Sequence, residues 1–193
     1  MRLLEERIEK DGVVLGFGVL KVDSFLNHQI DVLFLDKLAA EFAEIFSKAR
    51  ATKILTVEAS GIALACAAAR FLELPVVFAK KGSRSNVGND VYTASSHSFT
   101  HNTGYNMEIS KKYLSASDKV LIIDDFLATG GAIRALLSIV ETAKARVVGI
   151  GIAIEKGFQG GGKALRDEGY NLRSLAVIES MGNDGIIFGQ ADR

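Results

Sequence analysis

Cysteine, proline and histidine are scarce in this chain: 193 residues contain one cysteine, one proline and three histidines. A single cysteine excludes any disulfide within the chain. Cys66 lies in the apolar stretch Ile62-Ala63-Leu64-Ala65-Cys66-Ala67-Ala68-Ala69, and the expectation is a small core residue, not a nucleophile. Three scattered histidines provide no metal-ligand spacing. A charge excess is also missing. The 23 basic and 23 acidic side chains cancel, so the chain sets up no field to attract nucleic acid, whose binding depends largely on neutralising phosphates, and no nucleic-acid partner is expected. No run approaches about 18 uncharged apolar residues, and Met1-Arg2-Leu3-Leu4-Glu5-Glu6-Arg7 lacks the apolar core of a signal peptide. The expectation is therefore a cytoplasmic, soluble protein with no membrane partner.

What the chain does contain is alternation. Phe34, Leu35, Leu38, Phe42, Ile45 and Phe46 repeat at helical spacing across 31–48, with Asp31 as a cap. Short apolar runs follow at 53–57, 75–79, 119–123 and 146–154, separated by helical segments at 61–72, 130–144 and 162–169. Strands separated by helices in this way predict an α/β fold, a mostly parallel sheet flanked by helices. The only proline, Pro75, opens a strand, where a missing N–H is tolerated. Residues 82–106 stand apart as a polar, glycine-punctuated excursion from the sheet. No linker divides the chain, so a single domain over 1–193 is expected.

The most informative stretch is Val120-Leu121-Ile122-Ile123-Asp124-Asp125-Phe126-Leu127-Ala128-Thr129-Gly130-Gly131-Ala132. It reads as a buried strand, a turn and a helix N-terminus. The N–H groups of residues 128–132 have no partners inside the following helix, and the helix dipole adds partial positive charge there, which suits a phosphate. Thr129 adds a hydroxyl donor, and Gly130 and Gly131 let the backbone approach an anion closely. Asp124 and Asp125 are acceptors for the two hydroxyls of a ribose. Such a turn can also be no more than a capped αβ connection with two solvated acids. After the run 53–57 comes a second turn of this kind, Glu58-Ala59-Ser60-Gly61, which is either an ordinary helix start or a second anion site.

The Asp-Asp-x-x-Ala-Thr-Gly-Gly run at 124–131 resembles the 5-phosphoribosyl 1-pyrophosphate (PRPP) signature of type I phosphoribosyltransferases. The N-terminal residues 1–10, Gly16 to Gln29, the chain length and Glu155-Lys156-Gly157-Phe158 are similar to the xanthine-using bacterial branch of that family, and the likeness runs end to end. The resemblance implies the type I fold with a small hood, from about 1–30 and 156–193, and a mobile cover over about 82–106 that closes to exclude water. It also implies transfer of phosphoribose from PRPP to xanthine, with Mg²⁺ brought in by PRPP and no directly bound metal, and a homodimer.

The same resemblance assigns residues. Ala128, Thr129, Gly130, Gly131 and Ala132 are expected to hold the 5-phosphate. Glu58, Ala59, Ser60 and Gly61 would hold the pyrophosphate, with a cis or strained peptide in that loop. Asp124, Asp125 and Lys81 are the catalytic assignments; Lys81 is preferred to Lys80 because the family's PRPP lysine closes this strand, although a lysine pair alone is usually a solvated edge. The backbone of Leu20, the amide of Asn27, the ammonium of Lys156 and the ring of Phe158 are assigned to the purine. A donor such as Lys156 favours an oxo-purine over an aminopurine, and an unpaired donor is costly. Asn27 is also what a turn contains, and Phe158 what a core contains. Hypoxanthine–guanine relatives carry an aspartate where this chain has Ala128, so no general base is expected there. Gly157-Phe158-Gln159-Gly160-Gly161-Gly162-Lys163 has nucleotide P-loop spacing, but Ala164 stands where that loop needs a Mg²⁺-binding hydroxyl. Adenine phosphoribosyl transfer and a non-catalytic PRPP-binding regulator are the alternatives.

Overall fold

A computed structural model describes residues 1–16, 18–82, 90–97, 104–182 and 185–190. Five mutually parallel strands form its centre: β3 (Lys53–Val57), β4 (Val76–Lys81), β7 (Lys119–Leu127), β8 (Arg146–Lys156) and β9 (Leu172–Gly182). Antiparallel strands close both edges. β10 (Gly185–Phe188) pairs with β9, while β6 (Gly104–Ser110) pairs with β4 and β5 (Val91–His97) with β6. The resulting order is β10-β9-β8-β7-β3-β4-β6-β5.

Helices cover both faces of the sheet with their apolar sides. α2 (Val32–Phe46) begins at Asp31, whose carboxylate accepts from the Phe34 N–H at 3.1 Å, and buries Phe34, Leu35, Leu38, Phe42 and Phe46. α3 (Ser60–Leu72) packs beside it. α4 (Gly131–Thr142) buries Ile133, Leu136, Ile139 and Val140 on the other face. In β7 the two faces alternate: Leu121 and Ile123 join the core under α2 and α3, and Val120 and Ile122 the core under α4. This double burial explains the uninterrupted apolar run, as expected of a central parallel strand.

The N-terminal segment packs against β9, β10 and the carboxyl end of β8. It comprises α1 (Arg2–Asp11), the hairpin of β1 (Val13–Leu15) and β2 (Val19–Lys21), and a π-helical turn at Asp23–Asn27. α1 contacts β9 and β10, and the Met1 amino group donates to the Leu175 carbonyl. Arg7 pins the segment to α2: it pairs with Asp31 at 2.9 Å and lies 5.0 Å and 5.1 Å over the rings of Phe25 and Phe34.

Several expectations need correction. Cys66 is exposed. Leu64, Ala65, Ala67 and Ala68 take the buried face of α3, and the helical period turns Cys66 outward with Arg70, so local apolar composition misjudged its direction. β7 and β8 run past their apolar cores: Asp124 and Asp125 lie inside β7, and Lys156 ends β8 instead of following it. Pro75 precedes β4 and is not its first residue. The polar stretch 82–106 contains strand β5 and the start of β6, because alternating small polar residues can pair as a hairpin. Within that stretch, residues 83–89 and 98–103, on which part of the expected cover falls, lie outside the described residues. β9 and β10 are further strands, the apolar residues of β9 being interrupted by Arg173, Ser174, Glu179 and Ser180 and β10 being only four residues long.

Candidate active site

The sheet order creates the site. From β3 the chain passes to β4 on one side, and from β7 it passes to β8 and β9 on the other, so the connections leaving β3 and β7 diverge. A crevice opens beyond the carboxyl ends of two neighbouring parallel strands whose connections part in this way. The turn after β3 is Glu58-Ala59 leading into α3, and the turn after β7 is Ala128-Thr129-Gly130 leading into α4. The two turns singled out in the sequence therefore lie side by side.

At the β7 turn, Gly130 caps α4 with φ 92°, a left-handed conformation that costs an L side chain about 1–2 kcal/mol. No side chain caps α4, so its first N–H groups remain for an anion. Thr129 is exposed beside them. At the β3 turn the Glu58–Ala59 peptide is cis. The Glu58 carboxylate accepts the backbone N–H of Lys81 at 2.5 Å, and the Glu58 N–H donates to Ala79 at 3.1 Å. Its side chain is thus engaged in tying the turn to the end of β4, which leaves the backbone as the part of Glu58 open to a ligand. The same tether places Lys81 next to this turn.

Asp124 and Asp125 are 3% and 6% exposed. Burial pushes the Asp124 carboxyl well above the usual carboxylate range, the neighbouring Asp125 adds to the rise, and the Lys81 charge works against it. Asp124 Oδ1 has no hydrogen-bond partner among the described residues, and the same holds for Thr56 Oγ1. Both atoms press on Gly61, where a Cβ would overlap them. A buried acceptor without a partner costs roughly 1–3 kcal/mol, a debt that a ligand hydroxyl removes. Among the described residues no three His, Cys, Asp or Glu side chains cluster as a metal site. Two carboxylates with a vacant lone pair suit a hard cation that draws its other ligands from phosphate oxygens and water.

A second cluster lies at the end of β8. Lys156 is 9% exposed, its Nζ donates to the Gly18 carbonyl at 2.9 Å, and it sits 5.4 Å over the Phe126 ring. Burial lowers its pKa below the ordinary lysine value. Phe158, in the 3₁₀ turn Gly157–Gln159, is 43% exposed and touches Gly18. The sequence thus singled out two members, Lys156 and Phe158. It missed Gly18, Phe126 and Gln159, whose buried Oε1 has no partner among the described residues. An aromatic two residues before the phosphate turn was the available signal for Phe126. Leu20 directs its side chain into the core, so its backbone is the part left for a ligand. Asn27 ends the π-helical turn with an exposed side chain, and no hydrogen bond ties it to Lys156 or Phe158.

Two polar turns at a switch point, carboxylates beneath them and a donor with an aromatic face beyond define a site for a phosphorylated sugar and a planar heterocycle. The chain belongs to the phosphoribosyl transferase domain family, whose sequence profile matches residues 22–180. It is 53% identical over 188 residues to xanthine phosphoribosyltransferase of Clostridium novyi (strain NT), covering 97% of this chain and 99% of that one. The protein of the same name from Bifidobacterium animalis subsp. lactis (strain AD011) is 56% identical over 182 residues, 94% of each chain. In fold, the chain is similar to APRTase of Giardia lamblia complexed with 9-deazaadenine, with TM-score 0.74 and 24% identity over 88% of this chain and 91% of that one. The adenine phosphoribosyl transferase of Trypanosoma brucei, in complex with AMP, pyrophosphate and ribose-5-phosphate, gives TM-score 0.74 at 18% identity over 92% and 80% of the two chains.

Proposed function

We propose that this chain is an enzyme that transfers the 5-phosphoribosyl group of PRPP to xanthine, giving xanthosine 5′-monophosphate and pyrophosphate in purine salvage. The observation that carries the reading is the apposition of the two turns, 58–61 and 128–132, at the sheet's switch point. Full-length relatives named xanthine phosphoribosyltransferase at 50–53% identity support the choice of acceptor.

In this reading the N–H groups of Ala128 to Ala132 and the Thr129 hydroxyl hold the 5-phosphate. Asp124 and Asp125 accept the ribose 2- and 3-hydroxyls, and the backbone of Glu58 to Gly61 receives pyrophosphate with Lys81 beside it. A purine nitrogen forms its bond to the anomeric carbon as the bond to the pyrophosphate oxygen breaks. Positive charge gathers on the ribose in between, and fixed dipoles and Lys81 stabilise the departing anion. Mg²⁺ would enter with PRPP, held by its oxygens with Asp124 or Asp125 in reach, and neutralise the leaving pyrophosphate. Ala128 cannot take a proton, so catalysis rests on positioning and on the acidity of xanthine itself.

Lys156 donates to an exocyclic oxygen of the base, exchanging the Gly18 carbonyl for it, while Phe158 stacks on the ring and the Leu20 backbone and Asn27 complete the purine contacts. A lysine repels an exocyclic amine, which argues against adenine as the acceptor. Phosphorylated substrates are retained inside the cell, which goes with cytoplasmic action; no helix among the described residues is long and apolar enough to cross a membrane. A homodimer completes the proposal. Val32 and Leu33 are 60% and 78% exposed on α2, near the Asp36–Arg70 bridge to α3. Light scattering on the eluted protein tests the dimer, and nucleotide formation from PRPP and xanthine tests the activity.

A further inference from the structure

The glycines 160–162, beyond the turn that carries Phe158, have no part in the reaction just described, yet they touch the phosphate turn. A Cβ on Gly161 would overlap the Ala128 carbonyl oxygen and come within 2.7 Å of the Gly130 nitrogen, so the backbone of Gly161 lies directly against the turn. Gly161 opens α5 (Gly161–Asp167), a short helix preceded by Gly160 and without a side-chain cap. Such a helix has little stability of its own and takes its position from tertiary contacts.

One set of contacts supplies that position. Arg166, near the end of α5, forks onto the Glu155 carboxylate at 2.9 and 2.8 Å. Ser174 on β9 donates to the same carboxylate at 2.5 Å. Gly162 rests on this carboxylate, since a Cβ there would overlap Glu155 Oε1. Glu155 is 2% exposed and sits across from Leu127 in the β7–β8 register, next to the residue that begins the phosphate turn. A buried carboxylate held by a bidentate guanidinium and a hydroxyl is geometrically fixed in a way that a lysine pair is not.

We propose that Arg166 and Glu155 are positioning residues for the 5-phosphate site. Ser174, Glu155 and Arg166 fix α5, and α5 through Gly161 sets the backbone of Ala128 to Gly130. The inference relies on the function proposed above only in taking PRPP as the anion. Arg166→Leu is expected to raise the Kd for PRPP about tenfold or more, since displacement of a binding element by an ångström has effects of that order, with a smaller change in the KM for xanthine. Gly161→Ala pushes on the same contact from the other side and should weaken PRPP in the same way. Combined with Arg166→Leu it should add little, because the two act on one unit. If Arg166→Leu does not fold, Arg166→Lys keeps the charge, loses the fork and should raise the PRPP Kd by a lesser factor.

Amide hydrogen exchange in the ligand-free protein supplies a readout independent of substrate. The Thr129, Gly130 and Gly131 amides should exchange faster in Arg166→Leu, or in Arg166→Lys, while the β3 and β7 amides do not. Unchanged exchange at the turn in a folded variant, with unchanged PRPP affinity, overturns the proposal, as does an equal loss in PRPP and xanthine parameters. A native protein that binds PRPP but forms no nucleotide from xanthine contradicts the proposed function and leaves this one standing. If it binds no PRPP at all, the exchange result alone decides.

Discussion

Lys156 reaches across 138 residues of chain to donate its Nζ proton to the Gly18 carbonyl at 2.9 Å. The bond joins the end of β8 to the N-terminal segment and holds a cation in a site where burial disfavours charge. In the proposed reading an exocyclic oxygen of an oxo-purine takes the place of the Gly18 carbonyl as its acceptor.

Lys156→Met is therefore expected to lower kcat/KM for xanthine by roughly 10- to 150-fold, the range for losing a charged hydrogen bond, with little effect on the KM for PRPP. Steady-state rates with each substrate varied separately check this. The burial that lowers the Lys156 pKa also sets a sign. Between that lowered value and the ordinary value of about 10.4, the native state binds fewer protons than the unfolded state, so this residue's contribution to stability rises with pH there.

Asp124 carries the opposite sign. Its carboxyl pKa is raised by burial and by Asp125, so between the ordinary value of about 3.9 and the folded one the native state binds more protons than the unfolded chain. Its contribution is fully present below the ordinary value and is lost as pH rises through the folded value. Asp124→Asn should therefore raise the melting temperature of the ligand-free protein at neutral pH, by about 2–4 °C for each kcal/mol relieved, and the gain should shrink toward pH 4. Nucleotide formation should collapse in the same variant. Calorimetry at several pH values together with activity assays checks both parts.

Gly61→Ala puts a methyl group onto Thr56 Oγ1 and Asp124 Oδ1. Overpacking of this kind costs about 1–3 kcal/mol, and here it also displaces Asp124, the proposed ribose acceptor, from the turn after β3. Loss of stability by denaturant titration and a fall in kcat of more than tenfold are expected together; a fully active variant would show that the turn and Asp124 are not mechanically joined.

Gly130→Ala meets only ordinary van der Waals contact, with the Gly161 Cα 3.7 Å away, but strains a backbone at φ 92°. A cost of about 1–2 kcal/mol is expected from conformation alone. The KM for PRPP should rise while the KM for xanthine holds, which initial rates distinguish.

The central strands and the turn into α4 were legible in the sequence because β7 is buried on both faces, leaving a run of aliphatic residues that stops at Asp124, and because Thr129-Gly130-Gly131 mark a tight connection. Lys156 and Phe158 were singled out from donor and stacking chemistry once the resemblance had suggested an oxo-purine, since a lysine at a strand end has no pattern of its own. Gly18, Phe126 and the Glu155–Arg166 pair were not legible. Their roles arise from contacts between distant segments, such as Gly18 against Phe158, that no local periodicity encodes. Cys66 shows the converse: its neighbours were apolar, but direction on a helix decided its exposure.

The most direct measurement is the initial rate of nucleotide formation with PRPP, Mg²⁺ and each of xanthine, guanine, hypoxanthine and adenine, compared as kcat/KM. The account predicts a clear preference for xanthine that is lost in Lys156→Met. A preference for adenine, or equal rates in the native protein and in Lys156→Met, would contradict it.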